Sequence, residues 1–175
     1  MPTILRNGLL AASALFFVIC AAAQTEFPKE FIAHVRLTSG AITRFNSSPD
    51  FFTGSLQIVP QYTIRPHWLR GGAIAALTYG QKKVSGLFGP TISLKLKEFK
   101  AGYFGTLGNI HLNVDQLWGT NKQRLFGGGI NLDLLNKLII SFTTHRDYKQ
   151  SGWWLQTGIA FRISKIKTPV ETFPH

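Results

Sequence analysis

The side chains best suited to chemistry are charged and imidazole groups that stand at alternate positions of otherwise apolar segments. Guanidinium and ammonium groups bind phosphate and carboxylate through charge-assisted hydrogen bonds. If these side chains share one surface, their excess of positive charge predicts a site for an anionic ligand. The same groups also fit a network of internal hydrogen bonds and ion pairs that binds no ligand. The candidate ligand-binding residues are Arg36, Lys95, His111, Asp115, His145 and Arg162.

Other kinds of chemistry are not indicated. The five histidines do not stand at the spacings of metal ligands, and the phosphate-binding loop, the GxSxG elbow and the HExxH motif are absent. We therefore expect no metal and no cofactor. The adjacent Lys82 and Lys83 could contact the phosphates of a membrane surface. An ordinary solvated loop would carry the same pair.

The run His145-Arg146-Asp147 is the cluster closest to a hydrolytic arrangement. A histidine can activate a hydroxyl nucleophile as a general base. Asp147 has no hydroxyl, and a carboxylate cannot take that role in acyl transfer without a change of mechanism. The cluster therefore predicts an ion pair at the end of a strand, with Asp147 pairing with Arg146 or accepting hydrogen bonds from turn amides.

Alternation with a period of two residues dominates the chain and predicts β-strands. Residues 92–97, for example, alternate between apolar and polar side chains. No window of a dozen residues shows the apolar stripe of a helix. Pro60 predicts a bulge or a local edge. In two glycine-rich segments, 68–79 and 123–132, the side-chain pattern does not show which face is apolar. The eight predicted strands cover 30–38, 54–63, 68–79, 90–99, 107–118, 123–132, 138–146 and 153–163.

Strands joined by short hairpins predict an all-β fold, a closed antiparallel up-and-down β-barrel of about eight strands. A soluble barrel places its apolar face inside, whereas a membrane barrel places it outside. Two observations favour the membrane barrel: only 15% of the residues are charged, and aromatic residues gather near the predicted strand ends, as in the girdles of membrane barrels. These aromatic residues are Phe51, Phe52, Tyr62, Trp68, Tyr79, Phe99, Tyr103, Phe104, Trp118, Tyr148, Trp153 and Trp154.

The membrane interpretation assigns Leu94, Leu112 and Ile140 to the lipid and the polar faces to the lumen. An eight-stranded barrel is just wide enough for side chains to fill it, so we expect a plugged and basic lumen. Asp115 is the only acidic residue that we place in its middle. The expected lumen side chains are His34, Arg36, Gln57, Gln61, Arg70, Lys95, Lys97, His111, Asn113, Asp115, His145 and Arg162.

The chain has 175 residues, 45% of them hydrophobic, and a net charge of +11, which excludes a disordered protein. A single cysteine excludes a disulfide scaffold.

Residues 1–23 have the positive start, apolar core and small residues before Gln24 of a secretory signal peptide. A retained anchor and a lipoprotein through Cys20 are the alternatives. We expect an N-terminal segment at 24–29, the barrel at 30–163 and a C-terminal tail at 164–175.

The signal peptide and residues 30–163 together resemble the small eight-stranded outer-membrane β-barrel proteins of Gram-negative bacteria in strand count, hairpin length and aromatic placement. The resemblance implies location in the cell outer membrane, insertion by the barrel assembly machinery, contact with outer-membrane lipids including lipopolysaccharide, a monomer, and no nucleic-acid partner. The tail after Phe161 departs from the many barrels that end on a terminal aromatic residue. The implied role is structural, or the binding of an anionic ligand or lipopolysaccharide.

Two alternatives stay open. Residues 138–147 are similar to part of the lipid A deacylase barrels, outer-membrane esterases that use a histidine and a serine two residues later. His145 matches, but Asp147 stands at the serine position and no glutamate follows in the last strand, so an enzyme is not favoured. The other alternative is a soluble periplasmic β-barrel that binds a small apolar ligand.

Overall fold

The computed structural model describes residues 31–44, 50–66, 68–80, 82–100, 106–134 and 137–164. The expected signal peptide, the segment 24–29 and the tail beyond Ser164 lie outside these residues. No helix within the described ranges is long and apolar enough to cross a membrane. The strands of these ranges are β1 (Phe31–Thr43), β2 (Phe51–Arg65), β3 (Leu69–Gly80), β4 (Lys83–Lys100), β5 (Thr106–Gly119), β6 (Arg124–Leu134), β7 (Leu138–Asp147) and β8 (Trp153–Arg162).

The strands form a closed barrel in which each one pairs antiparallel with the next, and β8 pairs with β1. Val35 of β1, for example, lies opposite Ile58 of β2 on one side and Phe161 of β8 on the other. Closure leaves no strand edge open to pair with another chain. The predicted antiparallel up-and-down barrel is confirmed.

The two ends of the barrel are called the upper and the lower rim. The upper rim holds the ends of β1, β3, β5 and β7 and the starts of β2, β4, β6 and β8, and the lower rim holds the opposite ends of these strands. Hydrogen bonds link neighbouring upper-rim hairpins: the Thr120 amide donates to the Gly86 carbonyl (3.0 Å), and the Tyr148 amide donates to the Arg124 carbonyl (3.0 Å). These backbone bonds tie β4, β5, β6 and β7 together at the upper rim.

β1 and β4 extend furthest beyond the bounds that their sequence pattern predicts. β1 continues to Thr43 instead of ending at residue 38, and β4 begins at Lys83 instead of residue 90. Glycines hide the alternation in both stretches, but the hydrogen-bonded ladder needs no side chains and continues through them. At Gly40 the glycine is required, because a Cβ atom would lie 1.9 Å from the Leu155 carbonyl oxygen.

Two local expectations are wrong. Lys97 does not face the lumen: the register of β4 with β5 shifts between Lys95 and Lys97, so the bulge reverses the alternation and leaves Lys97 exposed. Pro60 does not cause a bulge either, because the pairing of β2 with β3 keeps one register across it. Val59 and Pro60 have no ladder partner in β3, which agrees with the alternative expectation of a local edge, and the irregularity lies between Thr63 and Arg65.

The faces of the two glycine-rich strands are now defined. Arg70 and Ile74 of β3, and Leu125 and Asp133 of β6, are buried inside the barrel. The glycine run at 127–129 lies close to both neighbouring strands, since a Cβ atom at any of the three positions would come within about 2.1 Å of a backbone oxygen of β5 or β7.

The outer surface is apolar between the rims. Leu37, Ile58, Ile130 and Ile140, for example, expose 59%, 51%, 51% and 45% of their surface. Among the described residues, the charged side chains of the outer face lie towards the rims, at Arg124 and Arg146 above and at Arg65 and Lys97 below. A barrel with this polarity is built to be surrounded by hydrocarbon.

The aromatic residues are divided between the two faces. Phe52, Tyr62, Tyr79, Trp118 and Tyr148 are exposed near the rims, as expected for girdles. Trp154 and Phe51, assigned to the same set, instead belong to an internal apolar cluster, because they share the parity of the inward-facing residues of β8 and β2. Tyr103 and Phe104 lie outside the described residues.

Candidate functional site: the barrel interior

The interior has two layers of different chemistry. Its upper half is an apolar cluster contributed by β1 to β6 and β8, although the sequence predicts a polar lumen throughout. These apolar side chains pack together across the barrel, while buried polar residues such as Thr53, Thr78 and Ser85 lie near the upper ends of the same strands. Its members are Ile42, Val59, Ile74, Ala76, Leu87, Leu117, Leu125 and Trp154, with Phe51 packed against them.

The lower half is polar, and it contains the side chains that the sequence singles out. Arg36, Lys95 and Asp115 each expose 1% of their surface, His145 exposes 4% and His111 exposes 5%. Arg162 is half-buried near the end of β8. The barrel therefore gathers all six predicted site residues, which are spread over β1, β4, β5, β7 and β8.

Asp115 is the centre of this polar half. Its Oδ1 accepts a hydrogen bond of 2.5 Å from the Thr91 hydroxyl, and its Oδ2 lies 3.3 Å from Nε2 of His145. The buried Arg36 guanidinium lies within electrostatic range of this carboxylate. The carboxylate therefore links side chains from four strands.

A glycine makes the contact between Asp115 and His145 possible. Asp115 lies on β5 and His145 on β7, and Gly127 of the intervening β6 is the register partner of both. Because Gly127 has no side chain, nothing stands between the carboxylate and the imidazole on the inner wall. The sequence shows both polar residues, but only the register shows that they meet.

A second group of ionic contacts lies closer to the lower rim. The ammonium group of Lys95 bonds to Oε2 of Glu98 at 2.5 Å, and an Nη of Arg36 donates to Nε2 of His34 over 3.3 Å. His34 is within electrostatic range of Arg70 and Arg162, and His111 of Arg70 and Lys95. Neutral hydrogen bonds extend the network, such as the one from the Gln61 amide to the Ser93 hydroxyl (2.8 Å).

The acidic residues of the interior are more numerous than expected. Asp133 and Asp147 expose only 7% and 0% of their surface, and Glu98 is engaged with Lys95. Asp133 could have been found by extending the predicted strand 123–132, with its alternation of Asn131 and Leu132, by one residue. Among the side chains that the structure describes, Arg36, Arg70, Lys95 and Arg162 face Glu98, Asp115, Asp133 and Asp147, so the predicted excess of positive charge is not shown.

The run His145-Arg146-Asp147 does not form the expected ion pair. His145 points inward to Asp115. Arg146 points outward, with its guanidinium carbon 5.2 Å from the centre of the Trp153 ring. Asp147 points inward and accepts hydrogen bonds from the turn amides of Lys149 (2.8 Å) and Gln150 (3.1 Å). Only the turn-amide interpretation of Asp147 agrees with the structure, because successive side chains of a strand face opposite sides.

A pocket opens between these side chains at the lower rim. His34, Arg70, His111 and Arg162 contribute its basic groups, and Asp133 contributes a carboxylate. The space that they leave is about 20 Å³, which is on the order of one water molecule. No group of three or more potential metal ligands occurs among the described residues.

The fold and its polarity define the class of this protein: a β-barrel with an apolar outer surface and a partly polar interior, as in membrane barrels. Among solved structures, the chain is similar to a de novo designed transmembrane β-barrel, with a TM-score of 0.47 and 12% identity over 75% of this chain and 95% of that one. It is also similar to the KdgM porin in complex with disordered oligogalacturonate, with a TM-score of 0.30 and 10% identity over 75% and 98% of the two chains. No protein-family model and no curated protein matches the sequence.

Proposed function

We propose that the chain is an outer-membrane β-barrel of the bacterial envelope whose interior is filled by its own side chains. It would then act as a structural or binding protein rather than as an open pore. The observation that carries this proposal is the reversed polarity, with exposed side chains such as Leu77 (62%) and Phe142 (56%) outside and buried ionic groups inside. An apolar surface that extends around a soluble barrel would drive aggregation.

Two features support a closed interior. The apolar layer that includes Ile42, Leu125 and Trp154 lies across the upper half, and an ion would lose part of its hydration on passing these side chains. Below it, the polar side chains bond to one another and leave little space. A barrel filled in this way suits a structural role in the membrane.

Membrane placement is tested with spin labels on the purified protein in lipid. We expect labels at Leu94 and Leu112 to be reached by lipid-soluble quenchers and not by water-soluble ones, whereas a label at the exposed Lys122 serves as the aqueous control. Protection of both leucine positions from both quenchers would indicate a soluble core. Outer-membrane extraction, followed by gel electrophoresis with and without boiling, tests the location and the stability of the barrel.

Closure is tested by conductance in planar bilayers. We expect no stepwise conductance from the wild-type barrel, since Trp154 is 3% exposed within the apolar layer. Trp154→Ala removes the largest side chain of this layer and should allow conductance events. Trp153→Ala is the matched control, because it removes the same type of side chain from the outer face. Regular channel steps from the wild-type protein would contradict a closed interior.

A second candidate function is anion binding in the pocket at the lower rim. The specific observation is the set of basic groups there, Arg70 and Arg162 with His34 and His111. Both arginines also interact within the protein, so an anion would have to exchange with existing partners. Titration calorimetry with inorganic phosphate tests this, and we expect Arg70→Gln to abolish any binding. Unchanged binding by that variant would exclude this pocket.

The esterase alternative has less support. His145 is 4% exposed and bonds to Asp115 inside the wall, whereas acyl chains of a bilayer would lie on the other side of the wall. We therefore expect no fatty-acid release from lipopolysaccharide that depends on His145. Loss of a measurable deacylase activity in His145→Ala, with an unchanged urea midpoint, would support the enzyme instead.

A further inference from the structure

We propose that Arg124 and Arg146 form a site on the outer wall, at the upper rim, for the phosphate of a membrane lipid headgroup. This inference rests on the membrane placement proposed above and adds a lipid partner to it. It starts from the placement of two arginines on adjacent strands just above exposed aromatic side chains. The sequence draws attention to Lys82 and Lys83 for such contacts, whereas the structure favours the arginine pair.

The two arginines are diagonal neighbours on the same face. Phe126 of β6 lies directly opposite Arg146 of β7, and Arg124 is two residues before Phe126. Diagonal partners of this kind have Cα atoms about 7–8 Å apart. Two guanidinium groups at that separation can converge on one phosphate, and the planar fork of each can donate two hydrogen bonds to its oxygens.

Neighbouring aromatic residues indicate how deep in the membrane the two arginines lie. Trp118 of β5 is the register partner of Arg124, while Phe126 and Trp153 flank Arg146. Such aromatic residues mark the interface between hydrocarbon and headgroups in membrane barrels. The guanidinium groups therefore lie at the level of lipid phosphates, and the rings beside them can contact the acyl chains.

The local charge favours an anion. Asp147, the carboxylate next to Arg146 in sequence, is fully buried and holds turn amides, so it does not reach the outer wall. Lys122 and Lys149 are exposed on the same two hairpins and add positive charge. An anionic headgroup near this part of the rim would be attracted by the summed field of these groups.

The two hairpins and the Arg146 guanidinium are already ordered before a lipid binds. The Arg124 carbonyl accepts a hydrogen bond from the Tyr148 amide (3.0 Å), which joins the hairpins that carry the two arginines. The Arg146 guanidinium stacks over Trp153 at 5.2 Å, an arrangement that restrains the group while leaving its N–H edge free to donate. Less conformational entropy is then lost on binding.

The test measures lipid retention by the full-length barrel in phosphatidylcholine nanodiscs doped with diphosphorylated lipid A, by native mass spectrometry. The lipid A with its phosphates removed is the matched lipid control. We expect the wild-type protein to prefer the phosphorylated form and the double variant Arg124→Gln/Arg146→Gln to lose roughly tenfold in affinity, which equals about 1.4 kcal/mol. Arg124→Lys/Arg146→Lys should lose less, because the charge remains while the planar fork is lost.

The control protein is Arg65→Gln/Lys97→Gln, which removes two outward-facing cations from the lower rim. An equal loss in this control, or unchanged retention in the Arg124/Arg146 glutamine variant, would overturn the site. Binding of inorganic phosphate alone, with the same arginine dependence and no preference for the lipid, would overturn the lipid assignment. Each variant is also checked for the gel shift on boiling. A glutamine variant with a normal gel shift but lost lipid binding supports the site. A wild-type protein without the gel shift would instead contradict the proposed membrane barrel.

Discussion

Replacing Asp115 by asparagine tests whether the interior is held together by charge. Asp115 is 1% exposed, bonds to Thr91 at 2.5 Å and interacts with the buried Arg36 guanidinium. Asparagine keeps an oxygen that can accept from Thr91, so the hydrogen bond survives while the negative charge disappears. The main cost is then the uncompensated charge of Arg36.

The magnitude follows from that cost. Removing one partner of a directly bonded buried ion pair destabilises a protein by about 3–5 kcal/mol. Arg36 interacts with Asp115 through the electrostatic field, and the hydrogen bond from Thr91 can persist, so we place Asp115→Asn near the lower value. His145→Ala is the comparison, because it removes the 3.3 Å contact with the same carboxylate together with the packing of the buried imidazole ring. Loss of one such bond costs about 1–2 kcal/mol. Asp115→Asn should therefore lower the free energy of unfolding more than His145→Ala does.

The assay is urea unfolding of each purified variant in one detergent, followed by tryptophan fluorescence and by the gel shift on boiling. The double variant Arg36→Gln/Asp115→Asn should lose less than the sum of the two single variants, since the second change removes the charge that the first leaves unpaired. A cost for Asp115→Asn equal to or below that of His145→Ala, or an additive double variant, would refute the reasoning.

Three further predictions concern other parts of the molecule. The mature protein should begin at Gln24 without a lipid, and N-terminal sequencing or mass spectrometry that finds an acylated cysteine would contradict this. Ile140→Arg should cost about 2–4 kcal/mol, because it places a charge on the lipid-facing wall, while Ser141→Ala should cost much less; urea midpoints in one detergent compare them. Gly127→Ala should disrupt assembly of the heat-modifiable barrel, since its Cβ would lie 2.1 Å from a backbone oxygen, whereas at Gly86 the nearest atom is 3.5 Å away and the same change should be tolerated.

Several features of the interior could not be predicted because they depend on which strands are neighbours. The sequence shows Asp115 and His145 as polar residues on inward faces, but their contact requires Gly127 to be the register partner of both. Lys97 fails for a related reason, because a one-residue bulge reverses the direction of every following side chain. The apolar layer around Trp154 was missed because it belongs to no single strand.

The sequence by itself determined the strands, the two faces of six of them and the barrel class. Alternation is a local property, since successive side chains of a strand point to opposite sides whatever the strand pairs with. Low charge and aromatic strand ends then indicated that the apolar face is the outer one. Only the tertiary structure decided how the inner faces combine, because closure joins residues as distant as Thr38 and Gln156, whose side chains are hydrogen-bonded at 3.3 Å. The register across eight strands decides which charges meet, and no local pattern contains it.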